Sequence, residues 1–203
     1  FAHGEVRTWV TPRRLAVAVA DVSVEQPVVE QVVSGPPEAA AFRDGAWTPA
    51  GEGFARSKGL TVDDLEIIDS ARFGALAVTD PETGAPMVSR IASVPGPDGA
   101  PLSLVSDLSH HTRALVANPV CALLLGEPGG KGDPLTHPRL SLQARAAFVR
   151  QGDDDHAALA AHYLALYPKA KLYIGFGDFA LVRFTPTGAH LNGGFGKAFV
   201  LTP

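Results

Sequence analysis

The sequence predicts a mainly β protein: a small antiparallel barrel with two helical insertions, preceded by a small α+β segment. Three features of the 203 residues carry that prediction. From Ala71 onward, short runs rich in Val, Leu, Ile and Ala recur at the close spacing of strands in an all-β domain. Turn-forming clusters separate them: Asp80-Pro81-Glu82-Thr83-Gly84, Pro95-Gly96-Pro97-Asp98-Gly99, and the longer run from Glu127 to Pro134. Helical signals occur in only two places in this region, too few for the strand–helix alternation of a parallel sheet.

In the first third, Leu15 to Val22 alternates larger apolar residues with alanines and Val28 to Val33 is β-branched, so both read as strands before Gly35-Pro36-Pro37 breaks the chain. Thr48, Pro49 and Gly59 supply the cap, first-position proline and glycine stop of one helix. Phe54 is its only large apolar side chain, so the helix needs a partner surface. Strands then follow at Phe73 to Thr79, Met87 to Val94, Leu102 to Ser106, Val120 to Leu125, Arg139 to Val149 and Phe179 to Phe184, with a seventh at Lys197 to Leu201. A helix follows Ser109 and ends at Asn118-Pro119; a second runs from Asp155 to Tyr167 and is stopped by Pro168.

Charge narrows the function classes. Residues 1–69 hold 6 Lys and Arg against 11 Asp and Glu, and residues 70–203 hold 11 against 10. Neither part has the basic excess of a nucleic-acid or anionic-membrane surface. The lone cysteine, Cys121, lies in an apolar run and reads as a buried, inert thiol, which fits a reducing cytoplasm. No run of eighteen apolar residues and no secretory signal is present in the sequence, so no membrane partner is expected.

The residues with chemical promise lie around the second strand of the barrel and the helix that follows. Strand parity puts Val88, Arg90, Ala92 and Val94 on one face, leaving Arg90 alone on an apolar surface. A guanidinium there is costly unless paired, and a phosphate offers bidentate geometry; snorkelling to water or a carboxylate partner is the other account. Ser109 is placed as the helix N-cap, so the amides of His110, His111 and Thr112 fall in a first turn that attracts anions. His110 and His111 point about a hundred degrees apart on a helix, a poor arrangement for a shared metal ion. Farther on, Arg139, Ser141, Gln143 and Arg145 share one strand face, which for Arg145 reads as solvated. Gly193-Gly194-Phe195-Gly196 reads either as a place where backbone approaches a planar ring or as a tight turn with Phe195 in the core. Gly129-Gly130-Lys131-Gly132 fails as a phosphate loop: the spacing before the lysine is wrong, Gly132 replaces Ser or Thr, and Pro134 follows where a helix should begin. No Gly-x-Ser-x-Gly elbow occurs.

Two resemblances attach to these residues. Residues 70–203 resemble the pyridoxamine 5'-phosphate oxidase-related FMN-binding split-barrel family, within it the HugZ-like haem-utilisation branch. The likeness rests on residues 71–78, Val88-Ser89-Arg90-Ile91, Ser106 to Thr112, Asn118-Pro119, Arg139 to Leu142 and Gly193 to Gly196. Residues 5–69 resemble an amino-terminal part of the bacterial glycyl-tRNA synthetase β subunit, on Thr11 to Val17, Gly35-Pro36-Pro37 and Gly53 to Gly59. The two likenesses meet near Asp69-Ser70, which is the expected domain boundary.

The first resemblance implies an FMN-dependent oxidoreductase, with the flavin at a homodimer interface and an unknown small-molecule substrate. It implies a cofactor contact for Arg90, Ile91, Ser106, Ser109, His110, His111, Thr112, Arg139, Gly194 and Phe195, with Arg139 reaching the flavin from the second subunit. This chain has His110-His111 where many relatives carry Arg-Lys, so phosphate affinity is expected to fall as pH rises. Haem is the alternative cofactor, with His190 the candidate axial ligand. The second resemblance implies subunit or tRNA association, and the acidic balance of residues 1–69 argues against autonomous RNA binding at Arg13-Arg14.

Overall fold

The computed structural model describes residues 3–11, 14–22, 36–43, 46–57, 66–193 and 198–201. The chain divides into two compact units, residues 1–34 and 35–203. The first contains an antiparallel hairpin, β1 (Val6–Thr11) and β2 (Arg14–Val19), registered from Val6 opposite Val19 to Thr11 opposite Arg14. β1 is a strand that the composition did not single out. The expected strand at Val28 to Val33 lies outside the described residues.

The second unit opens with a helical turn α1 (Glu38–Ala41), the short paired strands β3 (Phe42–Arg43) and β4 (Ala46–Trp47), helix α2 (Pro49–Ser57) and a turn α3 (Ile67–Ser70). α2 is the helix expected after Thr48-Pro49, and the Thr48 hydroxyl accepts from the Gly51 amide at 3.4 Å. Gly51 lets this helix lie against α1 and Trp47: a Cβ there would stand 2.5 Å from the Ala41 carbonyl oxygen and 2.6 Å from the Trp47 ring. The Trp47 indole donates to Glu66. The partner surface that Phe54 alone could not supply comes through small residues, because Ala55, 1 % exposed, and Ile67 join the core of the barrel.

The barrel strands are β5 (Phe73–Thr79), β6 (Pro86–Ala92), β7 (Val94–Pro95), β8 (Pro101–Ser106), β9 (Val120–Leu125), β10 (Arg139–Val149), β11 (Phe179–Asn192) and β12 (Ala198–Leu201). All pairings are antiparallel, in the order β6-β5-β9-β10-β11-β8-β7, with β12 also on β11. The strand expected from Met87 to Val94 is two strands in one run of chain. At Ser93 it leaves β5, and Val94 opposite Leu102 pairs it with β8. The two ends of the sheet are therefore separated by a single residue of chain, Ser93, so the sheet curls round on itself as the expected split barrel does. Ser103, fully buried, donates its hydroxyl to the Ala92 carbonyl at 2.6 Å across the closure.

β11 runs well past the expected Phe184. It passes Pro186 through a register shift opposite Gln143 and Ala144, where a residue without an N–H is tolerated. Leu76, Leu123, Leu142, Val182 and Phe184 fill the interior. Leu102, Leu104 and Leu181, on the opposite face, form a second core with Leu159 and Tyr163 of α5 (His156–Leu166). The helix after Ser109 is α4 (His110–Ala117), which sets Ala114 and Leu115 into the main core. Cys121 is buried there, and desolvation pushes its thiol pKa up to about 11, so the inert reading of this residue holds. Among the described residues no helix is long and apolar enough to cross a membrane.

Two substitutions test this architecture. Ser103→Ala removes the hydrogen bond across the closure and is expected to cost about 1–2 kcal/mol in urea unfolding. Gly51→Val forces α2 off Ala41 and Trp47, and a loss of about 1–3 kcal/mol in the single transition that melts the barrel is expected. An unchanged barrel transition would show that residues 36–57 do not share its core.

Candidate functional site

The polar groups expected to act together are distributed over two places. The alternation of β6 separates them: Met87, Ser89 and Ile91 face inward, while Val88, at 65 % exposure, and Arg90 face outward. Ile91 itself is buried in the core. Arg90 therefore lies on an outer face open to water, and the burial cost that argued for a paired guanidinium does not arise. Val94 keeps the outward parity of Arg90 and is buried there because, with its partner Leu102, it packs into the second core beneath α5. The guanidinium stacks 5.3 Å over the Phe73 ring.

The inward residue, Ser89, meets the start of α4, its hydroxyl 3.2 Å from His111 Nδ1. Ser109 has the extended N-cap backbone expected of it (φ −75°, ψ 140°), but its hydroxyl makes no capping bond. The Thr112 and Arg113 amides are tied to the Ser109 carbonyl, so the free amides of this turn are those of His110 and His111, one fewer than expected. Thr112 Oγ1 is buried and is the only fully buried side-chain oxygen or nitrogen without a partner among the described residues. An orphaned buried hydroxyl costs free energy unless something bonds it. Two free amides, the free Ser109 hydroxyl, a half-buried imidazole and that orphan thus fall within four consecutive residues, and each is a donor of the kind an oxyanion such as a phosphate monoester accepts from.

Neighbouring pairs fix this turn. His110 Nε2 donates to Asp80 Oδ2 at 2.5 Å while Arg113 donates to His110 Nδ1 at 3.2 Å, which holds the His110 ring toward Asp80. Asp80 also accepts from the Thr83 and Glu82 amides and the Thr83 hydroxyl, and these bonds, the Thr83 amide first and then His110, hold its carboxyl far below the usual carboxylate range. Burial, followed by the charge of His110, lowers the pKa of His111. The Ser106 hydroxyl donates to Asp178 Oδ2 at 2.6 Å and accepts from the Leu108 amide, so Ser106 builds the turn before the helix. Asp107 next to it forms a two-bond pair with Arg150, both at 2.8 Å. The roles of Asp80, Asp107 and Arg150 were not read from the sequence; the Asp80-x-x-Thr83-Gly84 turn signal was visible, its link to His110 was not.

Arg90 faces a cleft of about 170 Å³ on the outer sheet surface, together with Ala75, Leu124, Gly126, Glu127, Pro128, Pro134, His137 and Arg139. Arg139 thus shares a cleft with Arg90 within one chain. Among the described residues neither arginine bonds to Ser109, His110, His111 or Thr112. His190 is exposed on the same outer face, between Ser141 and Val200 in register. Gly194 and Phe195 lie outside the described residues.

Two family models match the chain. One, described as pyridoxamine 5'-phosphate oxidase, covers residues 63–193; the other, glycyl-tRNA synthetase β subunit, covers residues 1–95. The synthetase match therefore extends past Asp69 and overlaps the first three barrel strands, β5 to β7. Among curated relatives, the glycine–tRNA ligase β subunit of Geotalea uraniireducens is 42% identical over 95 residues, 46% of this chain and 14% of that protein. The chloroplastic non-canonical heme oxygenase HOZ of Arabidopsis thaliana is 34% identical over 117 residues, 58% of this chain and 35% of that protein. Among solved structures, a heme binding protein from Mycobacterium smegmatis is 30% identical with a TM-score of 0.61, over 69% of this chain and 56% of that one. The chain thus spans well under two thirds of each.

The Asp80 pair gives a pH-dependent test. Because the folded-state pKa of Asp80 is depressed, its contribution to stability is complete above the ordinary carboxylate pKa of about 4 and is lost as pH falls below it. Asp80→Asn is expected to lower Tm at neutral pH and to converge with the parent chain as pH falls below about 4; parallel Tm curves down to pH 2 would remove the role assigned to Asp80.

Proposed function

We propose, from the premise that this chain belongs to the pyridoxamine 5'-phosphate oxidase family, that it is an FMN-binding flavoprotein of the oxidoreductase class, holding the cofactor phosphate at the start of α4. The observation that carries this reading is Thr112 Oγ1, a buried hydroxyl with no partner, in the same first turn of α4 as the two free amides of His110 and His111. A phosphate oxygen would complete the hydrogen bonding of all three donors, with the Ser109 hydroxyl adding a fourth. His111 strengthens the site once protonated, and its lowered pKa places that gain on the acid side of the ordinary histidine value.

When bound, FMN supplies the redox chemistry of its ring. The chain's part is to anchor the phosphate and to hold the turn through Asp80–His110 and Asp107–Arg150. A homodimer belongs to this reading, supported by the exposed apolar residues Val88, Val120, Leu124 and Val200 on the outer sheet face. Residues 70–203 would carry the cofactor, and the synthetase-like residues 1–69 would be an appended segment.

A haem-binding protein without flavin turnover is the second reading, favoured by two relatives of at least 30% identity whose names state heme. In that case the propionates find guanidiniums at Arg90 and Arg139, with His190 exposed on the same face.

FMN titration followed by flavin fluorescence tests the first reading, with Thr112→Val as the variant. Loss of a bond to a charged group costs about 1.5–3 kcal/mol, so affinity is expected to fall about ten- to a hundredfold. The same change removes an unsatisfied buried hydroxyl, so Tm without FMN is expected to stay level or rise. A parent chain that takes no FMN, or a variant that binds it equally well, overturns the phosphate assignment; a Soret band on adding hemin to such a chain moves the function to haem.

A further inference from the structure

We propose that His137 is a proton-operated latch on the loop between β9 and β10. With a neutral ring it holds residues 127–132 against the rest of the loop; with a proton on Nδ1 it lets them go.

The two halves of this loop are held by different means. Residues 133–139 are pinned by a carboxylate, a hydroxyl and a guanidinium. Asp133 Oδ1 accepts from the Leu135 amide at 2.9 Å, and the Thr136 hydroxyl and amide both donate to the Asp133 carbonyl. Arg139 Nη1 donates to the Leu135 carbonyl at 2.8 Å and to the His137 carbonyl at 3.3 Å. Residues 127–132 have no such anchors: among the described residues, their hydrogen bonds are the two made with the His137 ring. Glycines stand at both ends of that segment, Gly126 with φ +92° and Gly132 with φ +87°, which makes each end a hinge without a side chain. Gly129 lets the ring come close, since a Cβ there would stand 3.0 Å from His137 Cε1.

The partners fix the state of the half-buried ring. A backbone amide only donates, so Nδ1, 3.2 Å from the Gly129 nitrogen, presents its lone pair. A carbonyl only accepts, so Nε2, 2.9 Å from the Lys131 oxygen, carries the hydrogen. A second proton has one place to go, Nδ1, and there it turns the acceptor into a donor facing a donor. The Gly129 bond is lost. At His110 the Asp80 carboxylate rewards an imidazolium; His137 bonds to no carboxylate among the described residues. The charged and titratable groups around it are Arg90 of β6, Arg139 of β10, Glu127, Lys131 and Asp133 of the loop, and His190 of β11 on the same outer face. None of their side chains bonds to the ring. Imidazole is the side chain that ordinarily changes charge between about pH 5 and 8, so the latch works on passing from neutral to mildly acidic water.

The loop's position gives the latch its consequence. Glu127 and Pro128 form one wall of the cleft that Arg90 and Arg139 share. Release of residues 127–132 draws that wall back and takes the Glu127 carboxylate away from two guanidiniums. Acid thus opens the outer face there and leaves it more positive. The start of α4, reached by Ser89 from the other face of β6, is untouched.

Backbone 15N relaxation of the full chain at about pH 7.5 and about pH 5.5 tests this. No cofactor is added, so the outcome does not depend on either reading of the function. Order parameters of Gly129, Gly130 and Lys131 are expected near about 0.85 at the higher pH and below about 0.6 at the lower, with Leu135 and Thr136 rigid at both. Ring 15N shifts are expected to show the Nε2–H tautomer at the higher pH. His137→Ala is expected to loosen residues 129–131 at both pH values while the Tm of the barrel stays level. His137→Gln, which does not titrate, is expected to show no pH step. An Nδ1–H tautomer, residues 129–131 equally ordered at both pH values, order kept in His137→Ala, or a pH step surviving in His137→Gln each overturns the latch. Loosening of Leu135 and Thr136 together with the glycines overturns the division of the loop into two halves.

Discussion

The change of partner at Ser93 is the constraint on which the rest of the barrel depends. A single run of chain pairs first with β5 and then with β8, so the sheet has to curl far enough to bring its two ends within one residue of each other along the chain. Curling gives the sheet an inside, and it is the inside that Leu76, Leu123, Leu142, Val182 and Phe184 fill. At the seam the curvature is held by a directional contact, Ser103 to Ala92, in a place where an unpaired hydroxyl would be costly. Past Ser93 the outward-facing Val94 and its partner Leu102 meet α5, which is how one strand system serves two cores.

Closure determines what the polar residues can do. Once inside and outside are defined, adjacent residues of β6 serve opposite surfaces: Ser89 reaches α4 while Arg90 reaches the loop beyond β9. The start of α4 is an anchored object. Asp107–Arg150 and Ser106–Asp178 fix the turn that precedes it, and Asp80 fixes the first histidine. Among these contacts the solvent-exposed Asp107–Arg150 pair adds little stability by itself. Their consequence is geometric: they leave the Thr112 hydroxyl buried with nothing to bond, and donors fixed in advance lose little entropy when an acceptor arrives.

Much of this was legible locally. Turn clusters and alternating runs placed most of the barrel strands, and the capping residues Ser109, Thr48 and Pro49 placed two helices, because these signals act within a few residues of chain. What escaped the sequence is non-local. Strand parity separated Val88 and Arg90 from Ser89 and Ile91 correctly but could not say which set faces the core, since Val88-x-Arg90-x-Ala92 is as apolar as a buried stripe. The extension of β11 past Pro186 was hidden because a proline reads as a strand end unless the partner strand supplies a register shift. The same limit applies to the site. Ser109, His110, His111 and Thr112 could be grouped by helix phase, but nothing in the order of residues says that Asp80 takes His110 or that Arg139 joins Arg90.

The synthetase-like stretch poses the question of where one inheritance stops and the other begins. The two family matches overlap over residues 63–95, so sequence likeness alone assigns Ile67 and the first three barrel strands to both. Packing is less ambivalent. Residues 35–203 form one compact unit, Ala55 and Ile67 share the core of Leu76 and Phe184, and Gly51 is squeezed against Ala41 and Trp47 with no room for a side chain. A helix with so little apolar surface has no means to hold such contacts on its own. Whatever the origin of residues 36–57, their conformation is specified together with the barrel they pack on, and a cut made at Asp69 would expose apolar surface on both sides of it.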